Sequence, residues 1–300
     1  MKFSTQALIK TGLALALTAA AGFASAQSSF TSSYLGGSGG ACGTSYSMTG
    51  KEPSASGKYP VYVHIGGTGE SYTSNWANAA VKAAAAKGFV AASVQYDNGS
   101  FGTCTDIAAR AKCIFNASNV NSAIAKLCAR AKADCTKGIV TGGLSQGSVI
   151  SVLAKDYDSR VRASMGQGNG ATYTAAYNLS SCMQNGGHAQ PGNRLRIING
   201  ELDMFVGGSV TTAGNSGKLV TGANCVSGTQ NCIQADGSGW YVVKGTQVLD
   251  LYADHCFMGY GGNDLVAQCS GTLVDSNYQN GTAPWALNPT IAWLKTFVTP

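Results

Sequence analysis

The stretch that decides the fold is Lys137–Lys155, KGIVTGGLSQGSVISVLAK. Ile139 and Val140 are β-branched and bounded by glycines, a pattern typical of a buried strand in a parallel sheet. Apolar residues recur at helical spacing over 149–153, behind a glycine-rich segment centred on Ser145. The stretch therefore predicts a short strand, a tight turn at Ser145 and a helix.

Gly143, Ser145 and Gly147 form the pattern G-x-S-x-G at this turn. A strand that reverses directly into a helix strains the central residue, and glycine on either side lets strand and helix approach. The helix points its free N–H groups and the positive end of its dipole at the serine. The pattern therefore predicts a nucleophile elbow. A second match, 36–40, has neither an apolar run before it nor helical periodicity behind it, and predicts only a flexible loop.

The first 26 residues predict a secretory signal peptide. Lys2 and Lys10 give a basic start, Leu13–Phe23 is apolar with small residues, and Ala24-Ser25-Ala26 is an A-x-A cleavage site. The apolar core is too short to span a membrane, and no later stretch reaches about 18 uninterrupted apolar residues. We therefore expect an exported protein, extracellular or periplasmic, with no membrane span.

Residues 27–300 suit one large α/β domain. Without Lys2 and Lys10, 18 of the 20 basic side chains remain against 14 acidic ones, a net charge of +4. That excess predicts no nucleic-acid partner, and the basic residues from Arg110 to Lys137 have the spacing of a solvated helical face. The oligomeric state stays open.

All ten cysteines follow residue 26, and in an exported protein they predict five disulfide bonds. No C-x-x-C occurs and the chain has three histidines, so we expect no metal and no cofactor. Sequence cannot fix the connectivity. Proximity suggests the following pairs, the last by exclusion: Cys104–Cys113, Cys128–Cys135, Cys225–Cys232, Cys256–Cys269 and Cys42–Cys182.

The remaining chain alternates between strands and helices, which predicts an α/β fold with a mostly parallel central sheet flanked by helices. Residues 27–58 are rich in Ser, Gly and Thr, with at most an edge strand at 46–48, and 171–190 is a polar insertion of the size of a small cap. The other predicted strands are 59–65, 89–94, 161–165, 195–198 and 240–243, and the other predicted helices are 74–87, 106–133 and 290–298.

The strand at 59–65 runs directly into Gly66-Gly67-Thr68-Gly69-Glu70. Glycines let backbone N–H groups point inward without obstruction, so a loop of this kind ahead of the serine is a place to hold an oxyanion. An ordinary glycine-rich turn is the alternative.

A serine nucleophile needs a base within hydrogen-bond reach, and an acid that orients the base. In an α/β fold with a nucleophile elbow, these residues follow one another along the chain in the order serine, acid, histidine. His64 precedes the serine and His188 precedes the strand expected to carry the acid, so His255 is the candidate base.

Asp203 is the candidate acid because it follows the strand 195–198, at the end of the sheet where ligand-facing groups collect. Glu201 is the neighbour to exclude. Asp254 adjoins His255, and successive side chains generally diverge, so we expect Asp254 to have a capping or surface role.

Gly-Leu-Ser-Gln-Gly-Ser, from Gly143, resembles the lipase and esterase elbow of the α/β-hydrolase superfamily, and 67–69 looks like its oxyanion loop. The likeness covers the layout of 59–298 but is specific only at the elbow, the turn before Asp203 and the histidine loop. Leu144, Ser148 and His-Ile-Gly-Gly-Thr depart from common patterns, which blurs the subfamily.

The resemblance implies an α/β-hydrolase fold in which Ser145 is the nucleophile, His255 the base and Asp203 its orienting acid. It implies an oxyanion hole made by the backbone N–H groups of Gln146 and of Thr68 or Gly67.

The sequence therefore predicts a secreted serine hydrolase that cleaves carboxylic esters through an acyl-enzyme. In its export, disulfides and small cap the chain is similar to secreted polyester depolymerases and lipases, which favours an accessible site and a polymeric or bulky ester. The ester substrate is thus a small molecule or a polymer. An amidase or peptidase with the same triad, and a non-catalytic secreted binding protein, are the alternatives.

Overall fold

The computed structural model describes residues 26–37, 41–173, 177–261, 269 and 271–300. Apart from Ala26, the predicted signal peptide lies outside the described residues, and so do Ser38 of the early glycine-rich match and 174–176 of the polar insertion.

The chain alternates between strands and helices in the described ranges. The strands are β1 (Gln27–Gly36), β2 (Thr44–Pro53), β3 (Val61–Ile65), β4 (Val90–Val94), β5 (Ile139–Leu144), β6 (Val161–Gln167), β7 (Thr172–Tyr173), β8 (Tyr177–Asn178), β9 (Leu195–Gly200), β10 (Asn231–Ile233), β11 (Gly239–Val243), β12 (Gly259–Tyr260) and β13 (Leu273–Val274). The α-helices are α1 (Asn75–Ala86), α2 (Cys104–Phe115), α3 (Ala123–Cys128), α4 (Gln146–Tyr157), α5 (Ser180–Met183), α6 (Val210–Thr221), α7 (Ser276–Asn280) and α8 (Leu287–Lys295).

Nine of these strands form one sheet in the order β1-β2-β4-β3-β5-β6-β9-β11-β10. The central strands from β4 to β11 run parallel, while β1, β2 and β10 add antiparallel edges. The predicted mostly parallel sheet flanked by helices is therefore confirmed. No helix within the described residues is long and apolar enough to cross a lipid bilayer.

The central strands are buried on both faces because helices cover both sides of the sheet. In β3, Val61, Val63 and Ile65 join an apolar layer with α2, α3, α4 and α6. Tyr62, between them, points into the opposite layer with α1 and α8. This alternation explains why the central strands read as continuous apolar runs rather than as alternating ones.

The segment 27–58 contains the predicted strand at 46–48, but its strand structure extends far beyond that prediction. β1 and β2 are ten-residue strands paired along their whole length, from Gln27 opposite Pro53 to Gly36 opposite Thr44. Most of their side chains lie at the sheet edge, so few positions had to be apolar, and the buried Tyr34 and Met48 anchor the hairpin. Serine and threonine are tolerated at such an edge, but they form no apolar pattern from which a strand could be predicted.

Helices form where they were predicted, but their lengths and number differ from the prediction. The region 106–133 contains two helices, α2 and α3, rather than one. α6 was missed, because its sequence VTTAGNSGKLVT contains two glycines and few apolar residues, which is a weak helical signal.

The structure contains five disulfide bonds, and three of the predicted pairs are confirmed: Cys128–Cys135, Cys225–Cys232 and Cys256–Cys269. The other two predicted pairs are wrong, since the bonds are Cys42–Cys113 and Cys104–Cys182. Cys104 and Cys113 lie at the start and near the end of α2. At a rise of about 1.5 Å per residue their Cα atoms are about 13 Å apart on opposite helix faces, beyond the reach of a disulfide.

The turn between β5 and α4 depends on the absence of two side chains. A Cβ on Gly147 would lie 2.2 Å from Ile65 O and 2.3 Å from Gly66 O, at the end of β3. A Cβ on Gly143 would lie 2.4 Å from Gly147 O. The glycines of G-x-S-x-G are therefore required by close backbone contact between β3, β5 and α4.

We expect Gly147→Ala to lower the free energy of unfolding by about 1–3 kcal/mol, because its methyl group would overlap two carbonyl oxygens. The strain opposes a gain of about 1 kcal/mol from the better helix propensity of alanine. Denaturant unfolding of the oxidised protein measures the change. Gly43→Ala is the control, since no atom lies within 4 Å of a Cβ there. Equal stability of the two variants would contradict the packing argument.

Candidate active site

Ser145 lies at the turn between β5 and α4, with backbone angles φ 53° and ψ −123°. A residue with a side chain rarely adopts a positive φ, and holding it there costs about 1–3 kcal/mol. Ser145 N–H donates to Gln167 O at 2.8 Å, and the Ser148 hydroxyl donates to Ser145 O at 2.5 Å. The backbone of Ser145 is therefore held from both sides at the carboxyl end of the sheet.

His255 and Asp203 form a buried pair at the same end of the sheet. Asp203 follows β9, and its Oδ2 lies 2.7 Å from His255 Nδ1. Phe205 N–H donates to Asp203 Oδ1 at 2.9 Å. His255 is 3% exposed and Asp203 0%, and a low-dielectric environment strengthens such a hydrogen bond. With Nδ1 as the donor to Asp203, Nε2 is the imidazole nitrogen that can take up a proton.

Gly168 packs against both members of this pair, although sequence reasoning missed it as a site residue. It follows β6 with φ +55°, and a Cβ on it would lie 2.5 Å from His255 Cε1 and 3.3 Å from Asp203 Oδ2. Any side chain at position 168 would overlap the imidazole, so only glycine fits there. The available signal was the segment GQGNG directly after a predicted strand.

Ser145 and His255 line one cavity of about 630 Å³, together with Gly67 and Thr68 from the loop after β3. Much of the remaining wall is aromatic, from Trp76, Phe101, Tyr173, Tyr177 and Phe205. The structure thus brings the predicted serine, histidine and loop residues to one cavity, with the predicted acid behind the histidine.

The loop 66–70 is held by its own glutamate. Glu70 Oε2 accepts a hydrogen bond from Gly67 N–H at 2.7 Å, and Glu70 Oε1 accepts one from the Ser74 hydroxyl at 2.6 Å. Asn98 Nδ2 donates to Gly67 O at 2.7 Å. Because the Gly67 N–H is engaged by Glu70, Thr68 is the better of the two predicted oxyanion donors in this loop.

Gln146 connects this loop to the elbow. It begins α4, where backbone N–H groups have no acceptor within the helix. Its Nε2 donates to Thr68 Oγ1 at 3.2 Å, and its Oε1 accepts from Arg110 Nη1 at 3.0 Å. Arg110 is 5% exposed, so its interpretation as part of a solvated face is wrong. Because its neighbours in the sequence are also basic, no local pattern indicated that Arg110 is buried.

The two other acids near the pair make different contacts. Glu201 Oε1 accepts a hydrogen bond from Gly245 N–H at 2.5 Å. Asp254 Oδ1 accepts one from Cys256 N–H, two residues further along the chain, at 2.7 Å. Asp254 caps none of the described helices, and it is buried rather than at the surface.

The two other histidines lie away from the cavity. His64 is buried in β3, and burial lowers its pKa to about 4. His188 is half-buried beyond α5, where burial also lowers its pKa. Within the described ranges, no group of three or more His, Cys, Asp or Glu side chains is placed to hold a metal ion.

The Cys256–Cys269 bond closes a loop directly beside His255. Cys269 also lines the cavity. The disulfide therefore ties the backbone next to the imidazole to the cavity wall.

No protein-family model matches the chain, and no curated protein matches it significantly. Among solved structures, the esterase Est22 aligns at 14% identity over 64% of this chain and 69% of its own, with a TM-score of 0.42. Est22 with p-nitrophenol aligns at 13% over 64% and 68%, TM-score 0.41. A hypothetical protein from Pseudomonas aeruginosa aligns at 12% over 59% of this chain and about half, 52%, of its own, TM-score 0.35.

Glu70 makes stability depend on pH in a defined direction. Burial raises its pKa, against the opposing hydrogen bonds from Ser74 and Gly67. Because the folded pKa exceeds the unfolded value of about 4.3, the folded state binds this proton more readily. The stability that Glu70 contributes is therefore complete below the unfolded pKa and is lost as the pH rises through the folded pKa.

We expect Glu70→Gln, which stays neutral, to become more stable relative to the wild type as the pH rises through that window. Denaturant unfolding of both proteins at a series of pH values measures the difference. A constant difference between the two curves would mean that Glu70 does not titrate with a raised pKa.

Proposed function

We propose that this protein is a serine hydrolase that cleaves carboxylic esters through an acyl-enzyme. The observation that carries the proposal is the buried His255 Nδ1–Asp203 Oδ2 contact of 2.7 Å, on the cavity that Ser145 also lines. A strained serine, a histidine and a buried carboxylate in this chain order are the parts that nucleophilic acyl transfer requires.

In the proposed reaction, Ser145 Oγ attacks the ester carbonyl carbon while its proton passes to His255 Nε2. Asp203 holds the tautomer and stabilises the imidazolium. The tetrahedral intermediate collapses, the bond to the alcohol oxygen breaks, and the alcohol leaves with the proton from His255. Water then attacks the acyl carbon while its proton passes to His255. The bond between the acyl carbon and Ser145 Oγ breaks, Oγ takes the proton from His255, and the acid leaves.

The oxyanion of each tetrahedral intermediate is held, in this proposal, by the N–H groups of Gln146 and Thr68. Gln146 supplies a free donor and the dipole of α4, and its side chain bonds to the Thr68 hydroxyl. The engagement of Gly67 N–H by Glu70 favours Thr68 as the second donor. Arg110 acts through Gln146 as a positioning residue.

We further propose that residues 27–300 form a single domain of the α/β-hydrolase fold that is exported after loss of residues 1–26. The sheet order and the elbow between β5 and α4 support the fold. Five disulfide bonds are typical of an oxidising compartment, extracellular or periplasmic.

The substrate that this cavity favours is a bulky ester with an apolar group, including an ester within a polymer. Its volume of about 630 Å³ and its aromatic wall support this choice. Matched p-nitrophenyl esters and p-nitroanilides separate an esterase from an amidase or peptidase, and a higher kcat/KM on the anilide would reverse the assignment.

We expect a fluorophosphonate probe to label the wild type at Ser145 and to leave folded Ser145→Ala unlabelled. Ester turnover should fall by about 10⁴-fold or more in the variant, because the nucleophile is lost. Mass spectrometry of the labelled peptide and rates on a p-nitrophenyl ester measure both effects. Equal labelling of the two proteins would exclude Ser145 as the nucleophile, and an unlabelled wild type would favour a binding protein.

We expect Gly168→Ala to lower kcat on the order of a hundredfold while the protein stays folded, because its methyl group would displace the His255 imidazole. Gly186→Ala is the matched control: Gly186 also has a positive φ, +92°, but no atom lies within 4 Å of a Cβ there. Steady-state rates of both variants distinguish displacement from backbone strain. Equal rates would refute the role of Gly168.

A further inference from the structure

A second cavity, of about 380 Å³, contains four basic side chains: Lys137, Lys155, Arg162 and Arg194. Lys137 precedes β5, Arg162 lies near the start of β6, and Arg194 precedes β9. Ser145, Gly168 and Asp203 follow the same three strands at their other end. At about 3.3 Å per residue, strands of six or seven residues place this cavity about 20 Å from the candidate active site.

The charged side chains among the described lining residues of this cavity are all positive. None of the described residues that line it is acidic. The nearby Asp158 is engaged by Arg160, whose Nε and Nη2 donate to its two oxygens at 2.9 and 2.7 Å. Burial, and then the charges of Arg162 and Arg194, lower the pKa of Lys155, while Asp158 only partly opposes them.

Lys137 has partial compensation of its own. Its Nζ donates to Pro300 O, and Asp134 lies within electrostatic range of it. The Asp134 carboxylate, however, already accepts hydrogen bonds from the backbone and the hydroxyl of Thr136. Asp236 lies within electrostatic range of Arg194, but its carboxylate already accepts hydrogen bonds from the backbone and the hydroxyl of Ser238. The cavity therefore keeps a cationic surplus from its two arginines and Lys155.

The backbone of both arginines is fixed by Gln190, and the Arg194 guanidinium also contacts an aromatic ring. Arg194 stacks on the Phe297 ring, with 4.5 Å between its Cζ and the ring centroid. Gln190 Nε2 donates to Arg162 O and Arg194 O, both at 3.3 Å. Lys155 Nζ is fixed by carbonyl oxygens at 2.8 and 3.2 Å. Among the described residues, neither guanidinium has a hydrogen-bond partner, so both retain their full set of donors.

We propose that this cavity binds a phosphate group. Arginine presents paired N–H donors whose geometry matches phosphate oxygens, and a bound anion relieves the mutual repulsion of the clustered cations. The cavity lies at the amino ends of the parallel strands and Ser145 at their carboxyl ends. A phosphate bound in the cavity is therefore not the group that reacts at Ser145. Attached to a larger molecule, it would anchor the protein with the aromatic cavity facing away.

Isothermal titration calorimetry with inorganic phosphate, at an ionic strength held constant with chloride, tests the site on the mature protein. We expect the double variant R162Q/R194Q to bind about tenfold more weakly or worse, the loss of a charge-assisted hydrogen bond. The control K82Q/K218Q removes two exposed lysines elsewhere and should bind as the wild type does. No binding by the wild type, or equal losses in both double variants, would overturn the proposal.

R162Q alone changes one exposed side chain, so it keeps the test available if the double variant is unstable. Co-sedimentation with phosphatidylcholine vesicles that contain phosphatidic acid distinguishes the source of the phosphate. Vesicle binding that depends on Arg162 assigns a lipid headgroup, and binding of inorganic phosphate alone assigns a free anion. Failure of both arms rejects the site, while hydrolysis at Ser145 is unaffected by either result.

Discussion

The contact on which the candidate site depends is the close approach of β5 and α4 at Gly143 and Gly147, against the end of β3. Carbonyl oxygens occupy the space that two Cβ atoms would need. The approach forces Ser145 into a positive φ and brings the first N–H groups of α4 beside the loop after β3. One packing constraint thus sets the position of the serine, the helix dipole and the glycine loop together.

Polar contacts then fix the parts that the packing brings together. Glu70 closes the loop after β3 on itself, and Gln146 ties that loop to α4. Arg110 supports Gln146 from within the core. Burying a guanidinium is costly unless its donors are used, and here two of its contacts, to Gln146 and to Ser100 O, hold the site.

The two ends of the parallel strands differ in chemistry. At the carboxyl ends, glycines and aromatic side chains surround a serine and a buried histidine–carboxylate pair. At the amino ends, Lys155, Arg162 and Arg194 face one another without an acidic side chain among the described lining residues. Parallel strands make this separation possible, because all of them start at one end of the sheet and finish at the other.

The sequence by itself determined what depends on local pattern. The central strands appear as apolar runs, the elbow as G-x-S-x-G between a strand and a helix, and the candidate pair as the late histidine and the acid after a strand. Proximity in the sequence also predicted three disulfide bonds correctly, but it failed for Cys104 and Cys113. The strand, elbow and disulfide signals are carried by residues close together in the chain, and the candidate pair was found from the order of its members along the chain.

Only the tertiary structure decided the features that depend on residues distant in the chain. The Ser-rich hairpin of β1 and β2, the bonds of Cys104 and Cys113, the burial of Arg110 and the place of Gly168 beside His255 all come from contacts between separate segments of the chain. The engagement of Gly67 by Glu70, though local, depends on the conformation of the loop. Such contacts produce no periodic pattern in the sequence. An edge strand, a buried cation and a glycine in close contact are each defined by the residues that pack against them.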